Sequence, residues 1–194
     1  MTPDLVNDLI KNRRSVFPKF YSDEPVDESI IQQMLENANW APTHRFTEPW
    51  RFTVFHDSGL KKLAEFQSNL YKEVSTEMGN YDQKKFDKLA SKPMMASHII
   101  AIGMKRDEEK SVPEEEELAS VAMAVQNMYL TASAYGIGCY WGSGGITYMD
   151  EAKSFFGLET EDKLLGFLYI GNIKGQFPGK GLRKPIEEKV KWVG

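Results

Sequence analysis

Residues 118–135 read LASVAMAVQNMYLTASAY and close on Gly136. Leu118, Val121, Ala122, Met123, Val125, Met128, Tyr129, Leu130 and Ala132 leave hardly a polar side on a helix of that length. A helix that is apolar all round is buried all round. In a chain of 194 residues, it sits either at the centre of the fold or against a second subunit. Gly136 supplies the residue at which such a helix stops.

Outward from this helix, short apolar runs alternate with amphipathic ones. Ser97 to Met104 (SHIIAIGM) and Leu164 to Ile170 (LLGFLYI) read as buried strands, and Trp50 to Phe55 (WRFTVF) as a β-rich strand. Gly138 to Gly142 reads as a short strand entering a glycine-rich turn. Thr2 with Pro3 starts a first helix that runs out near Arg13. Asp27 caps a second one, with Val26 and Ile31 placed as a hydrophobic staple and Pro42 as its stop. Ser58 is expected to cap a third, ended by Gly79. Tyr81 to Ser91 is Lys-rich and reads as a short surface helix, and Thr147 is expected to cap a helix up to Phe156. The charged stretch Arg106 to Glu117 reads as a solvated loop feeding a helix N-terminus, where Glu is electrostatically favoured. The tail holds Gly175, Pro178, Gly179, Gly181 and Pro185 and reads as an extended arm. About four strands and five or six helices interleave, which makes this an α/β or α+β chain. Its length suits one domain over residues 1–194.

Composition narrows the function. There are 24 Lys and Arg against 28 Asp and Glu, a net charge of −4. A chain of that balance lacks the basic face that phosphate backbones require, so nucleic acid is not expected as a partner. No apolar run approaches the roughly 20 residues of a membrane helix, and the first residues show no basic-then-apolar leader. The single cysteine, Cys139, excludes a disulfide framework and a cysteine-based zinc site, and with three histidines no metal centre is expected. A cytoplasmic location is expected.

Several familiar motifs fail on inspection. Gly142-Ser143-Gly144 follows a strand, but Trp141 stands beside it where the nucleophile elbow has its own spacing of glycines around the serine. Gly175 to Lys180 is one residue short of a P-loop, and Gly181 occupies the place of the Mg²⁺-binding hydroxyl. Neither a dinucleotide fingerprint nor a His-Glu-x-x-His helix is present.

Three separated segments remain. Arg13-Arg14-Ser15 offers two guanidiniums and a hydroxyl, a donor set that suits a phosphate monoester. Taken alone, the arginines are better explained as helix C-terminal charges answering the dipole. Trp40-Ala41-Pro42-Thr43-His44, followed by Glu48-Pro49-Trp50-Arg51-Phe52, is a helix end, a turn and a strand able to present side chains to a ligand. Tyr140-Trp141-Gly142-Ser143-Gly144-Gly145 lets backbone N–H groups approach a ligand closely, with an aromatic beside them to cover a flat ring.

Together these segments resemble the FMN-dependent nitroreductases, and most of all the short bacterial NAD(P)H nitroreductase subgroup. The likeness runs from Arg13-Arg14-Ser15 through the Ala-Pro-Thr-His…Pro-Trp-Arg-Phe segment and the apolar helix ending at Tyr135-Gly136-Ile137-Gly138. It continues through Tyr140 to Gly144 and Leu165 to Gly171, and ends at Arg183-Lys184-Pro185.

The resemblance implies an α+β fold: a three-layer α/β/α sandwich around a mainly antiparallel sheet, in an intertwined homodimer with FMN at the interface. It implies that Arg13 and Ser15, helped by Arg14 and by Arg183 from the tail, hold the phosphate or ribityl chain. It also implies that Trp40, Pro42, Thr43 and His44 approach the flavin from the partner subunit, and that Trp141, Gly142, Ser143 and Gly144 line the ring. NAD(P)H would be the co-substrate, and a nitroaromatic or quinone the small-molecule acceptor, in a ping-pong cycle. One position departs from the family. Phe17 stands where many members carry a Lys or Arg reaching flavin N1, and His44 and Lys19 are both open as substitutes. A flavin carrier, and a relative that dehalogenates an aromatic or fragments flavin, are the alternatives.

Overall fold

The computed structural model describes residues 2–177, 179 and 181–194; Pro178 and Lys180, which enter the reading of the tail, lie outside them. Five α-helices and four strands follow one another as α1 (Pro3–Asn12), α2 (Glu28–Asn39), β1 (Trp50–His56), α3 (Ser58–Glu77), α4 (Gln83–Ser91), β2 (His98–Met104), α5 (Glu114–Ala134), β3 (Ile137–Gly142) and β4 (Lys163–Asn172), with short 3-10 turns between. The strands form one antiparallel sheet in the order β1-β2-β4-β3.

β2 and β4 occupy the middle of the sheet, so both their faces are covered. Every residue of β2 is buried, which is why SHIIAIGM is nearly continuous in its apolar character and not alternating. One face packs on α2 and α5 through Met34, Val121, Val125, Met128, Ile100 and Leu168. The other packs on α3 and on the chain after β3 through Leu63, Tyr71, Ile99, Phe156 and Phe167. Helices on both faces of an antiparallel sheet give the expected three layers.

α5 is covered on the side it turns to the sheet and α2. Ala122, Met123, Ala134 and Tyr135 on its other side are exposed, as are Leu5 and Ile10 of α1.

Local signals decide the ends of the helices. The Asp27 carboxylate accepts from the Ser29 backbone N–H at 2.8 Å, and Val26 and Ile31 are both buried beside that cap. Gly136 has φ 71° and Gly157 φ 68°, left-handed values that glycine adopts without strain.

Three expectations are corrected. Asp57, at φ 47°, and not Ser58, occupies the N-cap of α3. The Thr147 hydroxyl donates within its own turn, to the Gly144 carbonyl at 2.9 Å, and the helix after it is a 3-10 segment, Asp150–Phe156, capped by Met149. The charged stretch before α5 is not wholly solvated: Glu117 is 1% exposed and pairs with Arg106. The other Glu117 oxygen accepts from the Asp107 N–H at 2.9 Å.

Candidate functional site

α1 ends where the Arg13 N–H donates to the Leu9 carbonyl at 3.1 Å. The chain then straightens and runs along the free edge of β3. Ser15 bridges Cys139 in parallel, and the Val16 N–H donates to the Cys139 carbonyl at 2.8 Å. Tyr21 clamps this segment, its hydroxyl lying 2.7 Å from the Val16 carbonyl and 3.0 Å from the Tyr169 carbonyl. Burial pushes the Tyr21 phenol far up, so it stays a donor. Its ring lies against the strand backbones. A Cβ at Gly138 would come within 2.7 Å of it, and one at Gly171 within 2.4 Å.

This strap brings Arg13 and Ser15 to the wall of an open pocket of about 640 Å³ shared with Tyr129, Trp141 and Ser143. These residues lie more than a hundred positions apart, and only the β3 edge joins them. The Arg13 guanidinium stacks over the Tyr129 ring at 5.1 Å. The Tyr129 hydroxyl accepts from the Trp141 backbone N–H at 2.6 Å, and desolvation raises its pKa. Trp141 is fixed in turn, its indole N–H donating to the Leu165 carbonyl at 3.0 Å. A guanidinium, three hydroxyls and an indole around one opening can hold a phosphate at one end and a flat ring at the other.

The remaining expected residues lie elsewhere. Arg14 turns away: its guanidinium donates to the Lys11 and Arg13 carbonyls at 2.5 and 2.9 Å. Phe17 packs on Tyr140 with ring centroids 4.5 Å apart. Trp40 is 78% exposed and donates to Glu36 at 3.0 Å. Pro42 lies in the turn after α2. The Thr43 hydroxyl accepts from the Glu48 N–H at 3.2 Å, and His44 pairs with Glu116. None of these four lines the Arg13 pocket. The loop they form is strained, with Arg45, Phe46 and Glu48 all at positive φ, a conformation that costs non-glycine residues energy and clusters at binding sites. Arg183 is exposed on the tail, donating to the adjacent Leu182 carbonyl.

Gly142, Gly144 and Gly145 line a second cavity, of about 310 Å³. Lys92 stands in it. Its ammonium lies 4.6 Å from the Tyr140 ring centroid and 4.2 Å from that of Tyr169, and a Cβ at Gly142 would be 3.4 Å from it. Burial, reinforced by the neighbouring charge of Lys88, holds Lys92 down at about 8. The sequence reading passed over this lysine. Its signal was the spacing of Lys85, Lys88 and Lys92 at i, i+3 and i+7, which continues the Lys-rich surface helix read over Tyr81 to Ser91 by one residue.

Comparison with known proteins agrees with this architecture. Residues 10–172 match the model of the Nitroreductase family. The chain is 28% identical over 186 residues to "Putative NAD(P)H nitroreductase YfhC" of Bacillus subtilis (strain 168), covering 95% of this chain and 92% of that protein. It superposes on a nitroreductase-like family protein from Bacillus cereus with a TM-score of 0.83 and 28% identity, over 100% of this chain and 98% of the other. A Desulfovibrio desulfuricans structure in complex with FMN shares the fold, with a TM-score of 0.71, 22% identity and 100% and 98% coverage. With the match spanning most of its length, this chain belongs to the nitroreductase family.

Proposed function

We propose that the protein is an FMN-dependent oxidoreductase that passes electrons from NAD(P)H to a nitroaromatic or quinone-like acceptor. The observation that carries this reading is the convergence of Arg13, Ser15, Trp141 and Ser143 on one pocket. Such a donor set fits FMN: a guanidinium for the phosphate, hydroxyls for the ribityl chain, and glycine backbone for close approach to the ring. FMN was bound in the Desulfovibrio desulfuricans relative. When bound, the flavin supplies hydride acceptance and electron delivery, so the protein's part is binding, orientation and charge.

Each residue then has a task. Arg13 and Ser15 anchor the charged tail. Trp141, Gly142, Ser143 and Gly144 line the ring, with Trp141 held rigid by Tyr129 and Leu165. Lys92, and neither His44 nor Lys19, fills the role left vacant by Phe17, because its ammonium stands next to the Gly142 backbone. A cation there stabilises the negative charge that reduction brings. Arg14 keeps the strap in shape, through its bonds to the Lys11 and Arg13 carbonyls.

The pocket lies open in the single chain. A second copy would complete it, placing Trp40, Pro42, Thr43 and His44 of the partner subunit over the flavin, with Arg183 of the tail adding to the phosphate site. The uncovered apolar side of α5 and the exposed Leu5 and Ile10 of α1 support this pairing. The test is a spectrum of the purified protein under anaerobic conditions. A flavin band that bleaches on adding NADH or NADPH and recovers with a nitroaromatic is the expected result. A colourless protein that stays colourless after incubation with FMN overturns the reading. A flavin band that neither nicotinamide bleaches leaves only the carrier function. Light scattering should give twice the chain mass.

A further inference from the structure

The cavity lined by Gly142, Gly144 and Gly145 holds two lysines, Lys85 and Lys88, that flavin binding does not explain. Lys85, Lys88 and Lys92 all line it, and no carboxylate does. Among the described residues none of the three lysines has an acidic partner within ion-pair distance. Asp87, the acid on the same helix, is engaged elsewhere, accepting from Gln83 at 2.7 Å. The Gln67 amide is also spent, donating to the Leu89 carbonyl at 2.7 Å. The opposite walls are aromatic: Tyr140, Phe167 and Tyr169. Three positive charges set against low-dielectric walls focus a positive field into a space of about 310 Å³. Burial first, and then the charge of Lys88, lower the Lys92 pKa. An anion entering the cavity gains from all three.

The aromatic walls and the small volume suit a single flat ring, and the ammonium groups suit an acidic substituent on it. We infer that this cavity receives the acidic group of the electron acceptor, so that the acceptors favoured by this enzyme are aromatic carboxylates, with Lys85 and Lys88 as the residues that select them. The inference rests on the flavin reading, because Gly142 and Gly144, which line this cavity, are among the residues proposed for the flavin ring. Lys85 stands at the outer rim, its ammonium 4.6 Å over the Tyr71 ring, and Lys88 lies one turn further along α4.

The test compares 4-nitrobenzoate with nitrobenzene, as matched acidic and neutral probes, on the protein as purified. Calorimetry gives their binding without turnover, and steady-state kinetics separate KM from kcat. The expected result is tighter binding of 4-nitrobenzoate, weakened by added salt. Lys85→Ala and Lys88→Ala should each reduce the preference by about five-fold, the worth of one exposed ammonium, with KM for the acid carrying the change. Lys88→Arg should restore it. Equal binding of the two probes in the unaltered protein overturns the inference, as does a preference that survives both substitutions together. If the substitutions instead weaken NADPH but not 4-nitrobenzoate, the cavity belongs to a nucleotide phosphate and the inference falls. Flavin content, read from the absorbance of each preparation, decides the underlying flavin reading separately from probe binding.

Discussion

Arg106 and Lys92 are both cations drawn into the protein, and the fold treats them in opposite ways. Arg106 is 12% exposed and meets Glu117, itself 1% exposed. The Arg106 backbone N–H donates to Asp162 at 2.9 Å, and its guanidinium reaches the Val112 carbonyl. Every charge there has an answer, and the network ties the start of α5 to the end of β2. Lys92 is answered only by the faces of two tyrosine rings. Paired buried charge makes architecture. An unpaired one is a standing cost, tolerated where a ligand will settle it.

The largest effect that would break this contrast comes from the paired side. Glu117→Ala leaves the Arg106 charge buried without a partner and should cost about 3–5 kcal/mol, seen in chemical denaturation. Replacing both partners, Arg106→Met with Glu117→Leu, should recover most of that loss. A single substitution as mild as a surface change would remove the distinction. Next comes Arg13, which like Lys92 rests on an aromatic ring and, in our proposal, awaits the FMN phosphate. Losing one charge-assisted bond of about 1.5–3 kcal/mol, Arg13→Ala should weaken FMN retention about ten- to a hundred-fold, measured as flavin absorbance surviving gel filtration.

Lys92→Met sharpens the comparison from the other side. Burial holds the lysine at about 8, below its usual 10.5. Between those values the unfolded chain carries a proton that the folded chain lacks, so stability rises with pH across that window. Removing the group should therefore raise Tm at neutral pH by a few degrees. The advantage should shrink as pH climbs from about 8 to 10.5, while the loss of electron delivery should be greatest below about 8, where the unaltered lysine carries its charge. The smallest effect belongs to Glu116, neighbour of Glu117 in sequence but half-exposed in its contact with His44. Glu116→Gln should move stability by no more than about 0.5 kcal/mol.

Much of the fold was legible because local and tertiary signals agreed. SHIIAIGM is apolar throughout because its strand lies inside the sheet, and the Asp27 cap and the left-handed Gly136 each work through their own backbone. Where the signals were purely local, reading went astray. Ser58 looked like a cap, but the backbone turned one residue earlier, at Asp57. Thr147 bonded into its own turn. Glu117 was hidden among four consecutive glutamates, and only the approach of Arg106 across the loop distinguishes it from the other three. The site divides the same way. Arg13, Ser15, Trp141 and Ser143 could be named from residue chemistry, yet their meeting at the β3 edge depends on the Tyr21 clamp, which no short motif announces. The lysine face of α4 was visible as a spacing but carried no meaning until the glycine turn was seen on the other side of it.

The way Trp141 is held has a practical consequence. Its indole is locked by the Leu165 carbonyl at the mouth of the Arg13 pocket. A tryptophan so fixed emits light whose intensity depends on what stands beside it, and an isoalloxazine absorbs in the range where indole emits. If FMN enters as proposed, the protein would carry its own optical gauge of occupancy, one that can be followed by titration without attaching a dye.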